Sequence, residues 1–337
     1  MATPDRRAQR VLILGGSGFV GPSLIQVLMS EGHGVTVLNR GIRPIPGTTQ
    51  LIADRNHTSD MQLVGERVSD FDILIDLSCY NRAQAKLAWR TFAHKCAQWI
   101  HLSSAAVYCS PPSIVPREDA PIGGAPIWGD YGRDKSEADQ YLVSARGGPE
   151  LVILRPPYLY GPGNDNDRET FVWSRALRKR PVLVPGDGQT PIQFLHTEDL
   201  ARAVVRVIRT PPSTRAVYNI AAPEEVTLKD FVTRLGAICG MPDPAVVVGN
   251  SASGFAPREY FPFRDYPMRV DATTICEALG WTPQFTFESG FTATFHSLDP
   301  LFLRQRPLDL TVEDRILHRV AACSSTAQSD ARKYSGS

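Results

Sequence analysis

Val11-Leu12-Ile13-Leu14-Gly15-Gly16-Ser17-Gly18-Phe19-Val20-Gly21 decides the fold of this chain. An apolar run reads as a buried strand. Three glycines spaced at 15, 18 and 21 read as a tight turn, and the apolar spacing Phe19, Leu24, Val27, Leu28 reads as the helix that follows. Strand, glycine turn and helix in that order form the phosphate-binding corner of a dinucleotide fold. Glycine lets the backbone approach a pyrophosphate, and the helix N-terminus faces its charge. The other reading of the turn, a close strand-to-helix connection with no ligand, is weakened by what surrounds it.

Strand-like runs alternate with helical patterns at Val11–Leu14, Val35–Leu38, Leu51–Ala53, Ile73–Asp76, Trp99–Leu102 and Leu151–Leu154. That alternation predicts an α/β fold with a doubly wound parallel sheet, of Rossmann type. Ligands of such sheets bind beyond the carboxyl ends of the strands, where Gly15, Asn39, Asp54, Ser78 and Ser104 all fall. Beyond Arg155 the pattern turns to Pro- and Gly-rich turns, Pro156-Pro157, Gly161-Pro162-Gly163 and Pro185-Gly186-Asp187-Gly188, with shorter periodic pieces. This predicts a smaller, interleaved C-terminal substrate lobe.

The 337 residues suit a nucleotide-binding lobe plus a smaller partner, and 42% hydrophobic residues suffice for a large core. Thirty-six Lys+Arg against 35 Asp+Glu leave a net charge of +1, so nothing draws the whole molecule to nucleic acid or an anionic membrane. Cys79, Cys96, Cys109, Cys239, Cys276 and Cys323 are scattered with no CxxC, which predicts no disulfide framework and no metal site, and suits a reducing cytoplasm. Met1 to Arg10 has charge and no apolar core, so no signal peptide is read there, and no stretch approaches the roughly 20 apolar residues of a membrane span. The last residues, 321–337, rich in Ser, Ala and charge, read as a frayed tail.

Two later segments carry chemistry. Ser103-Ser104-Ala105-Ala106-Val107-Tyr108 follows the fifth strand, and Tyr131-Gly132-Arg133-Asp134-Lys135 follows that. A Tyr-x-x-x-Lys alone is a weak signal; its place after the glycine turn and the serine gives it weight. Tyr131 and Lys135, at i and i+4 on a helix, share a face. Moving a phenol's ionisation from about pH 10 to about pH 7 takes roughly 4 kcal/mol. A unit positive charge about 4 Å away supplies that order at an effective dielectric of about 20. The other readings are a strand-end capping hydroxyl for Ser104 and a solvated Lys135 paired with Glu137 or Asp139. Where an acid would hold the ribose hydroxyl of NAD, this chain has Asn39-Arg40-Gly41. With no carboxylate there and an arginine able to pair with phosphate, NADP(H) is favoured over NAD(H), which stays open.

GGSGFVG, the Asp54 segment, LSSAAVY, YGRDK, LRPPYLYGPGN, FLHTEDLA, YNIAAPEEVTL and VDATTICEALGW together make the chain resemble the extended short-chain dehydrogenase/reductases, the group holding NAD-dependent sugar-nucleotide epimerases and dehydratases. VTVLNRG and RPPYLYGPGND look closest to the subgroup that includes the chloroplast stem-loop-binding proteins. The resemblance runs from about Val11 to Trp281. It implies Ser104, Tyr131 and Lys135 as the catalytic set. It implies Gly15, Ser17, Gly18, Phe19, Val20, Gly21, Asn39, Arg40, Asp54, Leu77, Ser78, Lys135 and Pro157 around the cofactor. Asp54 would accept from the adenine amino group, although it also reads as a turn residue.

The implied division is residues 1–160 plus about 192–226 for the NAD(P)-binding domain, with about 161–191 and 227–320 as the substrate lobe. His196 and His101 read as core histidines. Sugar-nucleotide epimerases usually carry an arginine for the substrate diphosphate two residues before the aromatic of the segment Pro191-Ile192-Gln193-Phe194, and this chain has Ile192. Arg168, Arg175, Arg264 and Arg269 are the candidates to replace it.

The reading that follows is an NAD(P)-dependent enzyme acting on a hydroxyl or carbonyl carbon of a small polar molecule. A nucleotide-sugar epimerase or dehydratase is the second reading, though the acid pair expected after the serine of a 4,6-dehydratase is missing. An RNA-binding or scaffold protein without chemistry is the third; the intact Ser, Tyr and Lys set and the near-neutral charge count against nucleic acid. The resemblance leaves a homodimer open.

Overall fold

A computed structural model of the chain describes residues 8–212, 215–241 and 243–321. The chain divides into two compact units. The first runs through Gly163 and adds Gln193–Glu224 and Met268–Gly290; the second takes Asn164–Ile192, Glu225–Pro267 and the residues from Phe291 onward.

In the first unit, β1 (Arg10–Leu14), β2 (Gly34–Asn39), β3 (Thr49–Ile52), β4 (Ile73–Asp76), β5 (Gln98–Leu102), β6 (Glu150–Arg155) and β10 (Ala216–Asn219) form one parallel sheet ordered β10-β6-β5-β4-β1-β2-β3. The remaining labelled strands are β7 (Tyr158–Tyr160), β8 (Val182–Pro185) and β9 (Pro191–His196). The order reverses between β1 and β4, the switch point beside which such sheets bind ligands. Central strands are buried on both faces, which is why they read as unbroken apolar runs. Alternate residues go to opposite sides. Val11, Ile13, Val37, Ile75, Ile100 and Val152 pack with α1 (Val20–Ser30) and α6 (Thr197–Arg209). Leu12, Leu14, Leu74, Trp99 and Ile153 pack with α2 (Thr58–Arg67), α3 (Arg82–Phe92) and α4 (Gly129–Ser144).

Two boundaries differ from the sequence reading. The third strand ends at Ile52, one residue before Ala53, whose N–H still donates to the Asn39 carbonyl of β2 at 2.9 Å. Residues 268–290, read from sequence as part of the second lobe, belong to the first unit. Buried polar side chains hold them there: Gln193 Oε1 accepts from Val270 N at 2.9 Å, and Asn219 Nδ2 donates to the Asp271 carbonyl at 3.1 Å. The Asp199 carboxylate accepts from Gln284 and Phe285 N–H at 2.9 and 3.1 Å. None of these pairings has a periodic sequence signature.

The second unit contains α5 (Glu169–Ala176), packed with α7 (Leu228–Ile238), and β8 paired in parallel with the strand Ala245–Val248. Trp173 is fully buried and donates its indole N–H to the Leu235 carbonyl at 3.1 Å. Among the described residues no helix is long and apolar enough to cross a membrane. The tail read from sequence lies, beyond Ala321, outside the described residues.

Candidate active site

The glycine turn follows β1 as its sequence requires. Gly15 and Gly16 have φ of +102° and +87°, a left-handed backbone that side chains resist. A Cβ on Gly21 would sit 1.8 Å from the Gly16 carbonyl oxygen, so only glycine lets α1 start this close to the turn. A Cβ on Gly18 meets nothing within 4 Å: the turn faces open space there. Ser17 precedes that opening, Phe19 caps α1 without a side-chain hydrogen bond, and the first turn from Val20 carries no acid. The helix thus opens with N–H groups and partial positive charge and no anion of its own, a fit for a pyrophosphate.

The neighbouring strand ends complete the cradle. Leu77 N–H donates to the Leu14 carbonyl at 3.0 Å, and Ser78 Oγ donates to the same carbonyl at 3.2 Å, directly beneath Gly15. At the end of β2, Asn39 Oδ1 accepts from Gly41 N–H at 2.7 Å, while its Nδ2 is buried with no partner among the described residues. A buried donor without an acceptor is costly. Arg40 beside it is exposed. Asp54 performs the turn role: Oδ1 accepts from Asn56 N–H and Nδ2 at 2.9 and 2.8 Å, and these bonds, the backbone one foremost, hold its carboxyl below the usual carboxylate range.

Ser104 follows β5 in extended backbone, 7% exposed, with Oγ accepting from Ala106 N–H at 3.2 Å. Pro157 is buried next to Pro156, whose carbonyl accepts from Ala105 N–H at 2.8 Å and ties the serine turn to the end of β6. In α4, Tyr131 is 45% exposed and Lys135 only 4%. Lys135 Nζ donates to the Leu102 carbonyl at 2.9 Å, two residues before Ser104. Gly132 lies between them, and its missing side chain is what allows the approach. A Cβ there would stand 2.7 Å from the Ala106 carbonyl oxygen and 2.9 Å from Trp128 Cβ. The start of α4 and the serine turn therefore touch through a glycine, and Lys135 pins the next helical turn to the end of β5. Gly132→Ala should cost about 1–3 kcal/mol, as overpacking does, read as a lower urea midpoint. It should lower turnover further than the stability loss explains, because α4 must move off the serine turn.

Sequence reasoning missed the ion pairs behind the site. Asp76, fully buried at the end of β4, accepts from both Arg55 terminal nitrogens at 2.5 and 2.9 Å, and Arg55 also reaches Ser78 Oγ at 2.8 Å. Burial alone would raise the Asp76 carboxyl; the guanidinium outweighs it and the carboxyl lies low. Asp139, also fully buried, accepts from Arg155 Nε at 2.9 Å and lies 3.5 Å from His101 Nε2; His101 and Arg155 overcome its burial and lower it too. Arg155 continues to Tyr108 Oη at 3.0 Å, and Tyr108 donates to Asn219 Oδ1 at 2.6 Å. Arg155 thus bridges the serine turn and β10. Donor atoms of Asp76, Cys79 and His101 lie within 4.8 Å of one another, but Arg55 claims the carboxylate and burial pushes the Cys79 thiol up to about 12, both against a cation there.

At the departure near the ninth strand, Ile192 is fully buried, so that position offers no side chain to a ligand. Arg175 cannot stand in as an anion clamp: it is held by Glu313 at 2.6 Å, both side chains 5% exposed. His196 accepts Glu198 N–H on Nδ1 at 3.2 Å, capping α6, and burial lowers it to about 4, the neutral core histidine expected.

The sequence model of the NAD dependent epimerase/dehydratase family matches residues 11–221, more than half the chain. The chain belongs to that family. Family members similar to it include the chloroplast stem-loop binding protein of 41 kDa b from Arabidopsis thaliana, 27% identical over 92% of this chain and 85% of the relative. A 2'-dehydrokanamycin reductase from Streptomyces kanamyceticus is 24% identical over 72% of this chain and 70% of the relative. Among solved structures, a dTDP-glucose 4,6-dehydratase from Bacillus anthracis in complex with NAD superposes with a TM-score of 0.70 at 18% identity, covering 86% of this chain and 96% of that one. UDP-glucuronic acid 4-epimerase from Bacillus cereus, in complex with UDP-glucuronic acid and NAD, gives 0.69 at 19% identity over 86% and 98%. These likenesses show an extended short-chain dehydrogenase/reductase fold; the reductase, dehydratase and epimerase relatives do not share one substrate.

Proposed function

We propose that this epimerase/dehydratase-family chain is an NADP(H)-favouring oxidoreductase acting on a hydroxyl or carbonyl carbon of a small polar metabolite. The observation that carries the reading is the placement of Lys135: buried, one helical turn after the exposed Tyr131, and pinned to the carbonyl two residues before Ser104. The cofactor, held along Gly15–Gly21, Asn39, Ser78 and Lys135, supplies hydride exchange when bound. Tyr131 gives or takes the proton at the substrate oxygen, Ser104 Oγ hydrogen-bonds that oxygen, and Lys135 holds the ribose and favours the ionised phenol by its charge. The second unit is assigned to substrate recognition. Ile192 in place of the usual arginine favours a substrate without a diphosphate; of the four candidate replacements Arg175 is held by Glu313, which leaves Arg168, Arg264 and Arg269.

Turnover separates the readings. A screen of aldehydes, ketones and alcohols with NADPH or NADP should produce a stoichiometric change in the reduced-nicotinamide absorbance. Conversion of a UDP- or dTDP-sugar with no net absorbance change would instead establish the epimerase reading.

The cofactor preference rests on the exposed Arg40 and the missing carboxylate. NADPH should bind more tightly than NADH, and Arg40→Ala should erase most of that difference while leaving NADH affinity nearly unchanged. Equal affinities in the parent protein, measured by calorimetric titration, would sink the preference.

A further inference from the structure

Tyr80 stands on the loop Leu77–Asn81 between β4 and α3, outside every role assigned so far. Its side chain is 55% exposed, yet its ring lies over the Lys135 ammonium, centroid to Nζ 5.2 Å. The ammonium has one hydrogen-bond acceptor in the Leu102 carbonyl at 2.9 Å; the ring covers it from a second direction. An aromatic face attracts a cation through its quadrupole and keeps water from it.

The loop is built to hold the ring there. Tyr80 N–H donates to Gln84 Oε1 at 2.6 Å, and Gln84 Nε2 donates to Asn56 Oδ1 at 2.8 Å. Asn81 caps α3 by accepting from Gln84 N–H at 3.0 Å, so the residue after Tyr80 is fixed in extended backbone. These bonds fix the backbone from which the ring projects.

We propose that Tyr80 is a positioning residue for Lys135: its ring, not its hydroxyl, holds the ammonium at the end of β5 in the place from which it grips the cofactor ribose. The proposal rests on the role given to Lys135 above. It makes the loop after β4 part of the cofactor grip through side-chain packing, in addition to the backbone contacts of Leu77 and Ser78. Gln84 becomes a third layer, acting on the lysine only through the loop.

Two measurements on the full chain test it without a turnover substrate. Ring current from Tyr80 should shift the Lys135 side-chain methylene resonances upfield in lysine-labelled protein, assigned by their loss in Lys135→Arg. The shift should vanish in Tyr80→Leu and persist in Tyr80→Phe. In parallel, NADPH titration should give a dissociation constant about fivefold higher for Tyr80→Leu and within twofold of the parent for Tyr80→Phe. No ring-current shift in the parent, parental affinity in Tyr80→Leu, or equal damage in Phe and Leu variants would each overturn the proposal. Lys135→Ala in the same titration separates the two levels. Parental affinity there refutes the role of the lysine itself; weakened binding there with parental binding in Tyr80→Leu refutes only the part played by Tyr80.

Discussion

Tyr131→Phe should lower turnover by on the order of 100-fold or more with the substrate the screen identifies, while NADPH affinity stays nearly parental. The substitution removes one hydroxyl from an exposed side chain and leaves the helix, the glycine contact at Gly132 and the Lys135 bond to Leu102 untouched. Little stability is at stake, so a lost rate cannot be blamed on unfolding. Ser104→Ala should be milder, because it removes one hydrogen bond to the reacting oxygen and Ser104 otherwise only accepts from Ala106 N–H. Lys135→Ala should damage both rate and cofactor affinity. Parental turnover in Tyr131→Phe would refute the acid/base assignment and return weight to a binding-protein reading of this family member.

The second large effect is on stability. Asp139→Ala leaves Arg155, 3% exposed, without its carboxylate partner, and stranding a buried charge in this way costs about 3–5 kcal/mol. The urea midpoint should fall accordingly. Arg155→Ala should cost less, since Asp139 keeps His101 beside it and Tyr108 keeps its bond to Asn219. The same pairs set an acid limit. Asp76 and Asp139 have folded-state carboxyls lowered below the unfolded value of about 3.9. Their stabilisation is fully present above about pH 4 and is lost as pH falls through the lower folded values. Unfolding midpoints should therefore drop steeply below about pH 4. In Asp139→Ala part of that slope should disappear.

The central sheet was legible in the sequence because its strands are buried on both faces and leave unbroken apolar runs such as Ile73–Asp76, which appears with those same ends. The glycine turn was legible because each glycine answers a backbone demand: φ above zero at Gly15 and Gly16, and close contact at Gly21. Tyr131 and Lys135 drew attention through a Tyr-x-x-x-Lys motif placed after the glycine turn and the serine, and the structure puts both on α4. What escaped depends on contacts between distant segments. The Arg55–Asp76 pair depends on the sheet register, which sets Leu14, Asp76 and His101 side by side at the ends of neighbouring strands. The demand for glycine at 132 comes from the Ala106 carbonyl and from Gly124, both distant in sequence. Tyr80 carried no motif, since a ring over a lysine 55 positions away has no sequence period. Residues 268–290 return to the first unit through side-chain bonds to backbone, which composition does not encode.

The proposed activity requires that the residues Gly15–Gly21, Asn39 and Lys135 hold a nicotinamide adenine dinucleotide phosphate. Calorimetric titration of the purified full chain with NADPH and then NADH tests it directly, with Gly18→Val as the control that fills the open space of the turn. The prediction is saturable binding of one NADPH per chain, weaker binding of NADH, and neither in Gly18→Val. Binding of neither dinucleotide by the parent protein, or undiminished binding by Gly18→Val, would contradict it.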